Sequence, residues 1–213
     1  MDCYITRQQA IDVCKKLKKF YAGLNEYYSA FGLDIESNRG RRNILMSEPM
    51  ETFLAEELSK TLSDVVADGR TGAADITFCD KGNEKEIECK LTSPHMSSGS
   101  ISFQTDYETL EKKGSTDYVY IIADENFEKF CFIFFAGLTL QDFRKLSPGA
   151  RGKVQMYKHR GMKKATVLLG ESINRNNVYV NKLERLMHEE KQKFFACKEK
   201  IEYKVSALNS TQR

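Results

Sequence analysis

Gly72-Ala73-Ala74-Asp75-Ile76-Thr77-Phe78-Cys79-Asp80-Lys81-Gly82-Asn83-Glu84-Lys85-Glu86-Ile87-Glu88-Cys89-Lys90 is the stretch that decides the fold. It reads as a β-hairpin, with one strand from Ala73 to Cys79, a turn around Asp80 to Asn83, and a second strand from Glu86 to Leu91. Side chains alternate along a strand, so Glu86, Glu88 and Lys90 share one face while Ile87, Cys89 and Leu91 share the other. In the first strand Ala74, Ile76 and Phe78 point one way, and Ala73, Asp75, Thr77 and Cys79 the other. The two apolar sets belong in one core. A two-residue turn at Lys81-Gly82 sets Asp75 opposite Glu88, and a turn at Gly82-Asn83 makes them diagonal neighbours. Either register keeps Asp75, Glu88 and Lys90 on one face. A loop of odd length would part Ile76 and Phe78 from Ile87 and Cys89.

Working outward, residues 7 to 31 carry apolar positions mostly three and four apart, which predicts an amphipathic helix with a break allowed at Gly23. Ser47 and Pro49 mark the start of a second helix running to about Ala67 and closed by Gly69. Beyond the hairpin, a Ser/Gly-rich loop from Thr92 to Ser100 leads to a helix over 103–113. Tyr118-Val119-Tyr120-Ile121-Ile122 then reads as a strand buried on both faces. A crossover from strand through helix to parallel strand is implied. Phe130 to Phe135 reads as another buried strand, Leu140 to Leu146 as a short helix, Ala165 to Leu169 as an edge strand, and 181–203 as a charged closing helix. The expected architecture is a single α/β domain over 1–213, with a mixed central sheet flanked by helices, a core at about 47–137, a helical N-terminal part at 1–46 and a C-terminal helical extension.

Composition narrows the class. The chain has 213 residues, 41% of them hydrophobic and 30% charged, so it can form a core without disulfides or a structural metal. Its longest apolar run, Phe130 to Leu138, is far too short to span a bilayer, and no secretory pattern opens the chain, so a cytoplasmic protein without membrane attachment is expected. The six cysteines include no C-x-x-C pair, which argues against a zinc site. Cys79, Cys89 and Cys131 fall in strands, where a thiol behaves as a small hydrophobe.

Two carboxylates roughly 5–8 Å apart at Cβ, with an amine two residues along, suit a hard divalent cation that keeps several waters and completes its shell with a phosphate. The same residues would also make an ordinary solvated Glu/Lys strand face.

Asp75, twelve residues, then Glu88-Cys89-Lys90, with a helix before and a helix and strand after, resembles the core of the PD-(D/E)XK nuclease superfamily. In size and loop chemistry it is most similar to type II restriction endonucleases. The proline of that signature is absent, since Ala74 precedes Asp75. The resemblance implies a restriction-endonuclease-like fold and a sequence-specific double-stranded DNA endonuclease. It also implies that Asp75 and Glu88 ligate Mg²⁺, that the Cys89 carbonyl is a further ligand, and that Lys90 orients or helps deprotonate the attacking water. Many members add a carboxylate from the first core helix. Glu51, set beside Leu54 and Leu58 by helical spacing, is the choice here, with Glu48 and Glu56 further round and Gln104 a weaker candidate.

Between Asp142 and Glu171 no acidic residue occurs, while eight cations do, a concentration suited to a phosphate chain. Arg151, Lys153, Lys163 and Lys164 from this window, His95, Ser97 and Ser98 from the loop after the catalytic strand, and Arg41 with Arg39 and Arg42 are the expected DNA contacts. A two-fold symmetric target favours a homodimer.

Overall fold

The computed structural model describes residues 3–70, 73–146, 152–170 and 181–182. The first helix, α1 (Arg7–Ala30), opens on a reciprocal cap. Thr6 Oγ1 accepts the Gln9 amide at 3.2 Å and Gln9 Oε1 accepts the Thr6 amide at 2.8 Å. α1 runs unbroken through Gly23. The second helix, α2 (Arg39–Leu58), starts well before Ser47, because the Asn38 side chain accepts the Arg41 amide at 3.0 Å and so caps the chain there. Pro49 therefore lies inside the helix rather than in its first turn, where its missing amide costs a backbone bond.

The helix expected to continue to Ala67 stops at Leu58, and Ser63–Ala67 is an edge strand, β1. Val65 and Val66 favour an extended chain, and pairing with the next strand outweighs the helical spacing of their neighbours. β2 (Ile76–Asp80) and β3 (Asn83–Thr92) form the hairpin. Ile76 pairs with Ile87 and Asp80 with Asn83, which fixes the turn at Lys81-Gly82. Both turn residues have positive φ, 52° and 78°, as a tight hairpin of native twist requires.

Phe103 and the residues after it depart from the expected helix. Gln104–Asp106 is a strand, β4, and the helix α3 occupies only Tyr107–Lys113. β5 (Thr116–Ala123) returns parallel to β3, so the strand–helix–strand crossover is present. β6 (Lys129–Leu138) and β8 (Ala165–Leu169) follow antiparallel, and the central path of the sheet runs β1-β2-β3-β5-β6-β8. The intervening β7 (Lys153–Gln155) pairs with β4 in a separate ribbon. Leu140 to Leu146 supplies only a 3₁₀ turn, Leu140–Asp142. The architecture is α/β, with a mixed six-stranded central sheet flanked by helices.

The closing helix expected over 181–203 lies outside the described residues, apart from Asn181–Lys182, which are strand rather than helix.

One face of the sheet presents Tyr118, Tyr120, Ile122, Ile133 and Phe135 to Phe103, Leu110, Val154 and Met156, so the ribbon and α3 close over it. On β5 and β6 nearly every residue is buried, and each large side chain there contributes about 1.5–3 kcal/mol. Phe135 touches both Phe103 and Tyr120, and Phe135→Ala would open a cavity costing about 3–5 kcal/mol. α1 and α2 pack on each other, α2 also against β1 and β3. Among the described residues no helix is long and apolar enough to cross a membrane.

Candidate active site

Asp75 stands one residue before β2, at the point where the register continues to Glu88. Its carboxylate takes the place of a backbone acceptor, receiving the Cys89 amide on Oδ2 at 2.6 Å. Lys90 lies on the same face and bridges the pair, with Nζ 3.2 Å from Asp75 Oδ2 and 3.1 Å from Glu88 Oε2. The alternation read from the sequence thus brings together the three residues it singled out. Cys89 contributes its backbone, while its thiol is buried in the opposite layer.

Burial drives the Asp75 carboxyl above the usual carboxylate range; Lys90 opposes that rise and Glu88 adds to it. Burial works against the Lys90 ammonium, but Asp75 and Glu88 outweigh it and hold its pKa above the ordinary lysine value. Lys90 therefore carries its proton firmly. Glu51 enters the same cleft from α2, and burial followed by the charge of Asp75 pushes it up to about 7, against the opposing pull of Lys90.

The cleft has a volume of about 970 Å³. Among the described residues six carboxylates line it, Glu48, Glu51, Asp75, Glu88, Asp106 and Glu108, against two cations, Lys90 and Arg70. Such a cleft repels a phosphate unless further positive charge is supplied. Its donors are hard oxygens, the class that Mg²⁺ takes, and Mg²⁺ needs only one or two carboxylates beside waters and phosphate. Among the described residues no group of three or more His, Cys, Asp or Glu side chains is arranged around a common metal position. A two-carboxylate site is compatible with that, and Lys90 shows that the facing oxygens of Asp75 and Glu88 already share one positive charge.

Other expected site residues lie elsewhere. Gln104 sits on β4, exposed and away from the cleft lining, and its neighbour Asp106 reaches the cleft instead. Glu48, expected further round the helix, is at the cleft with Glu51, whereas Glu56 pairs with Lys16 on the α1 side. His95, Ser97 and Ser98 are exposed on their loop and bond within it, His95 Nδ1 to Ser97 Oγ at 3.1 Å and Ser98 to Ser100 at 2.7 Å. Arg41 is exposed. Arg42 is fully buried, donating to Ser93 Oγ at 2.9 Å and to the carbonyls of Asp124 and Glu125, so it cannot be a DNA contact. Arg39 donates to the Pro94 carbonyl at 3.0 Å, and the two arginines anchor the base of the 92–100 loop to α2.

In the basic window Lys153 pairs with Asp106 at 2.6 Å, and Lys164 donates to Asp142 at 2.7 Å and to the Gly137 carbonyl at 2.8 Å. Lys163 is exposed, and Arg151 lies outside the described residues.

Two site residues were not legible in the sequence. Arg70 lines the cleft because β1 and the segment after it form an edge beside Asp75, which the helical reading concealed. Lys113 donates to Glu88 Oε1 at 2.8 Å. The signal for it was the parallel crossover, which returns the end of α3 to the middle of β3, but only the register makes that specific.

No protein-family model matches this chain, and no curated protein is significantly similar to it.

Proposed function

We propose that this protein is a Mg²⁺-dependent endonuclease that cuts double-stranded DNA at a specific sequence, on a restriction-endonuclease-like fold and as a homodimer. The observation that carries the reading is the Lys90 ammonium shared by Asp75 and Glu88 at a large, strongly acidic cleft. Asp75 and Glu88 would hold the cation. When bound, it would supply Lewis-acid activation of water and neutralise phosphate charge.

The chain's own residues do the rest. Lys90, which Asp75 and Glu88 hold protonated in the metal-free protein, would orient the attacking water or help deprotonate it and would offset charge on the phosphate. Glu51, pushed up to about 7 in the metal-free protein, faces the same cleft, where it would complete the metal shell. Arg70 lines the cleft with its guanidinium held by Asp68, Nε lying 2.9 and 3.0 Å from the two carboxylate oxygens, so a phosphate oxygen would have to compete with Asp68 for it. Water adds to phosphorus and the 3′ oxygen leaves, giving 5′-phosphate and 3′-hydroxyl ends.

Plasmid DNA incubated with the protein and Mg²⁺ tests the reading. Discrete fragments whose ends map to one sequence support it. Cutting confined to branched or damaged DNA would point to a structure-specific or repair nuclease on the same site. Metal-independent binding with no cutting of any substrate would leave a DNA-binding module and overturn the enzyme.

A further inference from the structure

Two lysines hold Glu88, and they hold different oxygens. Lys90 reaches Oε2 and, through the same ammonium, Asp75 Oδ2, so Oε2 is the oxygen turned towards Asp75. Lys113 reaches Oε1 at 2.8 Å and also Glu86 Oε1 at 3.2 Å. Lys113 does not line the cleft, and its side chain is only 16% exposed, so it approaches Glu88 from outside the cleft.

The backbone dictates this approach. Parallel pairing sets Ile87 beside Asp117 and Glu88 beside Tyr118. Gly114, at φ 74°, ends α3 and turns the chain into β5, which brings the last helical residue back to the middle of β3, beside Glu86 and Glu88. Glu86 and Glu88 share a face and repel each other, and an ammonium between them is held by both. Lys113 is thereby fixed by two carboxylates while it fixes one of them.

We propose that Lys113 is a positioning residue that sets which divalent cation the site prefers: by retaining Oε1 it leaves Glu88 a single oxygen to offer, favouring Mg²⁺ or Mn²⁺ over Ca²⁺. This rests on Asp75 and Glu88 being cation ligands. Mg²⁺ demands near-octahedral geometry at short range, which the narrow bite of one carboxylate cannot span with both oxygens. Ca²⁺ has a larger and looser shell, in which a bidentate carboxylate is common. Releasing Oε1 gives Ca²⁺ an extra ligand and Mg²⁺ none. It also removes a positive charge, which strengthens attraction to either cation. That contribution is shared and largely cancels in the ratio of their affinities.

The test is calorimetric titration of the full chain with Mg²⁺, Mn²⁺ and Ca²⁺, each alone, for wild type, Lys113→Met and Lys113→Arg. In Lys113→Met the affinity ratio should move towards Ca²⁺ by about tenfold, the usual scale for groups that orient a ligand. Lys113→Arg, which keeps the charge and the hydrogen bond, should stay near wild type. Lys113→Gln, neutral and shorter, carries the same expectation should the methionine variant fail to fold. Wild-type binding with an unchanged ratio in the neutral variants would overturn the role of Lys113 and leave the ligands in place. Wild-type protein that binds none of the three cations would overturn the ligand reading itself.

Discussion

Asp75 and Glu88 face each other across the β2–β3 hairpin and share one ammonium, that of Lys90, at 3.2 and 3.1 Å. Two carboxylates this close, one of them nearly buried, repel strongly unless a cation lies between them. In the free protein that cation is Lys90; the proposed function has a divalent ion take over part of the task.

Lys90→Met should therefore destabilise the metal-free protein by about 1–3 kcal/mol, the scale for removing charge-assisted hydrogen bonds from part-buried groups, with Glu88 keeping Lys113 and Asp75 keeping the Cys89 amide. For a chain of this size that is a fall in Tm of roughly 2–12 °C. Added Mg²⁺ should restore most of it, because the ion replaces the missing charge. Thermal melts with Mg²⁺ and with EDTA check this, and a fall that Mg²⁺ does not reverse would mean the carboxylates hold no ion.

Asp75 has a second task, as acceptor for the Cys89 amide at 2.6 Å. Asp75→Asn keeps an acceptor there and should melt near wild type while losing cation affinity. Asp75→Ala strands the amide and should cost about 1–3 kcal/mol more. Equal melting temperatures for the two variants would show that the amide bond contributes nothing.

Glu51 gives a pH signature. Its folded-state pKa, about 7, lies above the ordinary carboxylate value, so between those two pH values the folded protein binds more protons than the unfolded chain. Stability from this group is greatest below the window and is lost as pH rises through about 7. Without divalent ions, Glu51→Gln should then raise Tm at alkaline pH and change it little at acid pH. The same shift at both pH values would contradict the burial of Glu51 among acids.

Lys163 and Lys164 are adjacent yet differ in what holds them. Lys163 is exposed, whereas Lys164 is engaged by Asp142 and the Gly137 carbonyl. Lys163→Gln should weaken binding equally on cognate and unrelated DNA and lower the salt slope by about one. Lys164→Gln should instead lower Tm, since it leaves the buried Asp142 without its cation, and leave the slope unchanged. Binding over a salt series, with melts of both variants, separates the two roles.

The hairpin was legible because apolar and polar residues alternate strictly from Ala74 to Phe78 and again from Ile87 to Leu91, and a slip of one residue would set Glu88 on the face of Phe78. Only the turn length was open, and the positive φ of Lys81 and Gly82 settles it. The parallel return through α3 and the buried strands also followed from pattern. Ser63 to Ala67 did not, because its neighbours continue a helical spacing and strand pairing with β2 is a tertiary effect. Asn38 was a better helix start than Ser47, but a cap is decided by geometry among several eligible polar residues. At the site, Asp75, Glu88 and Lys90 came from local alternation and Glu51 from helical spacing. Lys113 and Arg70 came from neither, since each reaches the site through chain returns of long range.

Cleavage of supercoiled plasmid by wild type, Asp75→Asn and Glu88→Gln, in Mg²⁺ and in EDTA, tests the central claim most directly. Wild type should cut in Mg²⁺ and not in EDTA, and both variants should lose about a thousandfold or more in rate while still binding DNA, as removal of groups acting on the reacting phosphate does. Cutting by wild type in EDTA, or near-wild-type cutting by either variant in Mg²⁺, would contradict it.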